Sequence, residues 1–190
     1  MNARDTILQR IRENQPAGAY PLPDLPSFPF DDGGDLVACF LRNLVAMGGH
    51  YYDGTINAAM AELFPDAAVI ASTVPDFSGN RAITSGTEAG QLADVDVGIT
   101  RASVGVAETG SVLLVDENLI SNAVAYLAQH LIVLLDRASI VTTLQDAYRR
   151  PEFHQYRYAS FHTGPSATAD IEGVLIHGAQ GVRSLTVLLT

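Results

Sequence analysis

"NLISNAVAYLAQHLIVLLD", residues 118–136, is the stretch on which the fold turns, because from Asn118 to Leu135 it carries no formal charge. A membrane span needs a continuous apolar run, and Asn118, Ser121, Asn122, Gln129 and His130 interrupt this one. The segment therefore reads as a helix over residues 118–128, then "HLIVLLD", a strand buried on both faces. No membrane span is expected.

The same alternation extends in both directions. Downstream of Asp94, "DVGIT", "SVLLVD", "GVLIHG" and "SLTVLLT" are further buried strands, "YASFH" is a short one, and "TLQDAYRR" and "ATADIEGVL" are helices. Upstream, "DLVACFLRNLVAMGG" spaces Leu36, Val37, Phe40, Leu41, Leu44 and Val45 at helical intervals and ends at Gly48 and Gly49, a left-handed cap. A "HYYD" strand, a "GTINAAMAELFP" helix stopped by Pro65 and an "AAVIAS" strand follow. Strands alternating with helices predict an α/β fold with a largely parallel central sheet flanked by helices.

The beginning of the chain differs. "MNARDTILQRIREN" puts Ile7, Leu8 and Ile11 on one helical face, without the unbroken apolar core of a secretory signal. Prolines 16, 21, 23, 26 and 29 then fix an extended linker. Residues 1–33 are thus an N-terminal helix and proline-rich linker, the helix docking either on a partner or on its own core, and residues 34–190 a single α/β domain.

Composition removes several classes of function. A net charge of −10 repels polyanions, so neither nucleic acid nor an anionic membrane surface is an expected partner. The lone cysteine, Cys39, excludes internal disulfides, a Cys-only zinc site and an iron–sulfur cluster held by this chain alone. A cytoplasmic location, with no cofactor bound by this chain alone, is the expectation. The five histidines, at 50, 130, 154, 162 and 177, show no metal-binding spacing.

Two motifs carry what chemistry there is. "VGVAETGSV", residues 104–112, spaces Gly105 and Gly110 as a phosphate loop does but lacks the lysine that grips the phosphates. Glu108 remains, at the entrance of a buried strand: either a turn glutamate facing water or a carboxylate whose partial burial suits acid–base or nucleophilic work. "HTGPSATADIEG", residues 162–173, is either a helix start, with Pro165 in the first turn and Ser166 or Thr168 as cap, or a site. Asp170 and Glu172 in those first turns would repel phosphate and favour a hydroxyl, an amine or a cation. His130 and His162 immediately precede strand and motif, each either a satisfied structural histidine or a side chain facing a cleft at the sheet edge. Arg149, Arg150 and Arg157 form the one dense positive patch, a landing place for a carboxylate.

"GVAETGSVLLVD", "AQHLIVLLDRASIVTTLQDA" and "FHTGPSATADIEGVLIHGAQGVRSLTVLL", in that order, resemble the lactate utilization protein C family, the single-domain members of the LUD group. The resemblance implies a fold similar to the sugar-phosphate isomerase and coenzyme A transferase superfamily. It also implies a part in oxidising L-lactate to pyruvate beside partner proteins that carry iron–sulfur clusters, with this chain as the cluster-free component. Carried over by position, it marks Glu108 and Asp170 as catalytic. It marks Thr109, Gly110, His130, Gly164, Pro165, Ser166, Thr168 and Glu172 as binding a small-molecule substrate, with no metal. Where the family commonly has G-V-H-G-P, this chain has Gly178, Ala179, Gln180, Gly181 and Val182, so a histidine is replaced by Gln180. The rival expectations are a stand-alone transferase or isomerase using Glu108, and a ligand-binding protein without turnover.

Overall fold

The computed structural model describes residues 2–190 except 22, 24, 25, 27, 171 and 172. Its centre is a five-stranded, wholly parallel sheet. Strands β1 (His50–Tyr51), β2 (Ile70–Ser72) and β3 (Val97–Arg101) are followed, after a hairpin, by a longer strand at His130–Leu135 and a last one at Ser184–Leu189. Val97, His130 and Ser184 stand side by side, so three strands enter the sheet at one level.

The hairpin comprises β4 (Val104–Val106) and β5 (Ser111–Val115), which makes the strand at His130–Leu135 β6. With β7 (Ile140–Val141) and β8 (Ala159–His162) the hairpin forms a second sheet in the order β7-β4-β5-β8, antiparallel except between β4 and β7. A small two-stranded pair, β9 (Ala167–Thr168) and β10 (Ile176–His177), precedes the last strand, β11. "SVLLVD" thus lies outside the parallel sheet, in a second layer.

Two helices cover the parallel sheet for legible reasons. α1 is the N-terminal helix, Ala3–Glu13, and α2 spans Leu36–Ala46, where Asp35 accepts from Ala38 N and Cys39, Phe40 and Leu44 are buried. In α3, Ile56–Leu63, Thr55 supplies the cap and Ala59 and Met60 the buried face. In β6, Leu131, Val133 and Leu135 join the core shared with α2 and β5, while Ile132 and Leu134 join that under α3. Burial on both faces, worth about 1.5–3 kcal/mol per large aliphatic side chain, is what an uninterrupted apolar strand signals.

Three local expectations are corrected. The helix over 118–128 is two short turns, α4 (Asp116–Leu119) and α5 (Val124–Leu127), separated at Ile120, whose φ of 60° lies in the left-handed region. The described residues of "ATADIEGVL" form no helix: Ala167 and Thr168 pair as a strand, and just before them Ser166 donates its N–H to Val182 O at 3.0 Å and accepts from Gly178 N at 2.8 Å. "GVLIHG" is no buried strand, since only Ile176 and His177 pair and Val174 and Leu175 are each 61% exposed. "TLQDAYRR" does form a helix, α6 (Leu144–Arg149), closed by reciprocal Thr143 and Asp146 hydrogen bonds.

α1 buries no residue, and Ile7 and Ile11 remain 59% and 54% exposed. Among the described residues no helix is long and apolar enough to cross a membrane.

Candidate functional site

The two motifs meet on the C-terminal end of α2. Gly110 has φ +65°, and a Cβ there would stand 2.1 Å from Leu44 N; Gly164 has φ +69°, and its Cβ would stand 2.1 Å from Met47 O. Both positions demand glycine twice over, for the left-handed backbone and for the close approach of the α2 main chain. Asn43 of α2 adds Nδ2 donations to Ala107 O at 2.7 Å and Glu108 O at 3.2 Å. A line of hydroxyls then joins the motifs: Thr109 Oγ1 to Ser111 Oγ at 2.6 Å, and Ser111 Oγ to Thr163 Oγ1 at 2.6 Å.

Beside this junction lies a cleft of about 290 Å³ whose walls include Tyr126, Ser160, His162, Gly164, Ser166 and Gln180. It forms where the end of β8 turns at Gly164 and meets the segment leading into β11. The Tyr126 hydroxyl hydrogen-bonds to Tyr158 and donates to Ser160 Oγ at 3.2 Å. Burial, then the hydrogen bond with Tyr126, push the Tyr158 phenol up to about 12, so it stays protonated at neutral pH.

His162 is the group in this cleft that the fold leaves unanswered. Its Nε2 is buried without a hydrogen-bond partner, and the Tyr126 ring lies 5.2 Å away between centroids. Burial alone pulls the imidazole down to about 4, so at neutral pH it is uncharged. A buried polar atom lacking a partner costs roughly 1–3 kcal/mol, a penalty that a ligand group reaching it would remove. Among the described residues no lysine, arginine, aspartate or glutamate lines the cleft.

Of the residues singled out from sequence, Gly164, Pro165 and Ser166 line this cleft. Thr109 and Gly110 support it through the hydroxyl line and the packing on α2. Glu108 is elsewhere: it is exposed, and its Oε2 accepts from Leu144 N, the first amide of α6, at 3.1 Å. Asp170 is also exposed and closes a local turn, Thr168 Oγ1 donating to its Oδ2 at 3.1 Å and Asp170 N donating back to Thr168 Oγ1 at 3.2 Å. The two carboxylates therefore have separate surroundings and do not form a pair across the cleft. Glu172 lies outside the described residues.

His130 opens on a second cleft, at the N-terminal edge of the parallel sheet, with Phe64, Asp96 and Arg183. Its Nδ1 is 2.8 Å from Ser184 Oγ, and its ring packs on Phe64 at 4.8 Å. Burial and the nearby Arg183 charge hold it below the ordinary histidine value, against the pull of Asp96. Of the arginine patch, Arg149 ends α6 and Arg150 lines a third cleft with Arg101.

The site residues that sequence reasoning passed over are Tyr126, Ser160 and Gln180. Gln180 had a signal, as the place where the family pattern breaks. Tyr126 and Ser160 had none, because only the meeting of α5 and β8 brings them together. Cys39 is fully buried and its Sγ accepts from Arg42 at 3.2 Å, and the described residues hold no group of three histidine, cysteine, aspartate or glutamate side chains placed to hold a metal ion.

Residues 86–190, more than half of the chain, match the LUD domain family model. Two similar proteins are both described as Lactate utilization protein C: one from Anoxybacillus flavithermus, 30% identical over 97 residues, and one from Shouchella clausii, 34% identical over 91 residues. These matches take in 50% and 45% of this chain but only 44% and 40% of those proteins, so the chain matches less than half the length of either. A crystal structure of a DUF162 family protein from Deinococcus radiodurans has a TM-score of 0.61 at 15% identity. It covers 85% of this chain and 99% of its own, and thereby shows the shared α/β fold.

Proposed function

The chain belongs to the LUD domain family, and from that premise we propose that it serves in lactate utilization as a cluster-free component working beside iron–sulfur proteins. In this reading the cleft of His162, Gly164 and Gln180 receives a small polar ligand of the lactate-to-pyruvate conversion. The relatives described as Lactate utilization protein C support the system. The observation that carries the ligand is the buried, unpartnered Nε2 of His162 in the cleft wall.

The arrangement is suited to holding rather than attacking. A neutral imidazole, the Ser160 hydroxyl and the Gln180 amide can each donate a hydrogen bond to a carbonyl, hydroxyl or carboxylate oxygen. Glu108 as the nucleophile of a stand-alone transferase or isomerase is disfavoured, because its carboxylate is spent on the α6 amide and does not line this cleft. The electron chemistry of lactate oxidation then falls to the clusters of the partner proteins.

Calorimetry with L-lactate and with pyruvate tests the ligand. One of the two should bind, and His162→Leu should weaken it about tenfold, as expected for losing a hydrogen bond in a desolvated site. Binding of neither, or full affinity in the variant, overturns the assignment. Recovery of the chain from lactate-grown cells should bring iron–sulfur proteins with it, and recovery without them overturns the assembly.

A further inference from the structure

The second cleft, of about 290 Å³, carries charges of both signs that do not meet one another. Asp66, Asp96 and Arg183 all line it, yet no ion pair joins Arg183 to either carboxylate. The fold explains the separation. Arg183 enters on the residue before β11, where its N–H donates to Gln129 O at 2.7 Å. Asp66 sits on the turn after α3, and Asp96 is anchored because its Oδ2 accepts from Ala68 N and Val69 N, both at 2.8 Å.

His130 shares the lining, fixed by Ser184 at Nδ1 and by the Phe64 ring. Burial and the nearby Arg183 charge disfavour its charged form, and Arg183 is the one arginine or lysine among the described residues on the lining. Leu63, Phe64 and Pro65 give the cleft an apolar wall.

We propose that this cleft binds a small α-amino acid as its zwitterion, the carboxylate against Arg183, the ammonium against Asp66 and the side chain along Phe64. A simple carboxylate would gain Arg183 but face the charges of Asp66 and Asp96, and a simple amine would gain the acids but face Arg183. A ligand carrying both charges can offer a carboxylate to Arg183 and an ammonium to Asp66 from one molecule. The guanidinium fork suits a carboxylate bidentately, and the modest volume selects a short side chain. His130, on the same lining, is the ring that senses the ligand.

L-Alanine, L-lactate and ethylamine share nearly the same carbon frame and separate the charges. Each is titrated into the full chain while the His130 Cε1 proton is followed by NMR, a resonance assigned by its loss in His130→Gln. That signal isolates this cleft from the one around His162. L-Alanine should shift it saturably, whereas L-lactate and ethylamine should need about tenfold higher concentrations or more. Arg183→Gln and Asp66→Asn, both exposed changes, should each weaken L-alanine about tenfold, with circular dichroism reporting an unchanged fold. The proposal is overturned if L-alanine gives no saturable shift, if L-lactate or ethylamine acts at the same concentration, or if Arg183→Gln keeps full affinity.

Discussion

Ser111 Oγ and Thr163 Oγ1 lie 2.6 Å apart although 52 residues separate them in the chain. Ser111 is almost fully buried, and its hydroxyl also meets Thr109 Oγ1, so one oxygen ties the first motif to the second. Ser111→Ala should cost about 1–2 kcal/mol, because Thr163 is left without this partner at a half-buried position. Urea denaturation of Ser111→Ala, Thr163→Val and the double variant should show coupling: the second substitution costs less once the first is made.

Gly110 and Gly164 predict larger losses. An added Cβ at either position overlaps the main chain of α2 and forces a left-handed backbone on an L side chain. Gly110→Ala and Gly164→Ala should each cost more than about 2 kcal/mol, read as a fall in urea midpoint. Gly33→Ala shares the positive φ but meets nothing within 4 Å, and should cost only the backbone strain, about 1 kcal/mol.

Burial of His162 makes stability depend on acid. Its imidazole is pushed down to about 4 in the native state against 6.5 for an ordinary histidine, so between those pH values the unfolded chain takes up a proton that the native one refuses. The native state is therefore favoured most above the unfolded value, and this contribution, on the order of 3 kcal/mol, is lost as pH falls towards 4. The drop in unfolding free energy between pH 7 and pH 4.5 should be clearly smaller in His162→Gln than in the parent. An equal drop in both would exclude His162 as its source.

Glu108 is expected to act on α6 rather than on a substrate. Glu108→Ala frees the Leu144 amide and should lower stability by about 1 kcal/mol, the usual worth of a helix-start acceptor. Thr143→Ala, which removes the neighbouring cap of the same helix, should cost a similar amount in the same denaturation measurement.

Element types were legible wherever one local pattern had one physical outcome. β6 and β11 are short, largely apolar runs and became buried parallel strands; α2, with its apolar stripe, its Asp35 cap and its closing glycines, needed nothing distant to be recognised. The failures share a cause. Residues 118–128 and 167–175 carry helix-like spacing but lie where long-range hydrogen bonds compete: Thr100 Oγ1 donates to Asn118 O at 3.1 Å, and Ser166 is held by Gly178 and Val182. Spacing alone does not reveal such partners.

The candidate site divides in the same way. Gly110, Gly164, Pro165 and Ser166 stand out in the sequence because motif glycines and turn residues announce a special backbone. The amino-acid order by itself determined the α/β alternation, the exclusion of a membrane span at 118–136, and the family to which the "AETG" and "TGPSATAD" segments point. Only the tertiary structure decided that Glu108 caps a helix, that His130 and His162 belong to different clefts, and that Tyr126, Ser160 and Gln180 surround an imidazole with nothing to bond. Periodicity and propensity act over a few residues and are written locally, whereas burial, desolvation and the pairing of charges depend on which distant segments the core brings together.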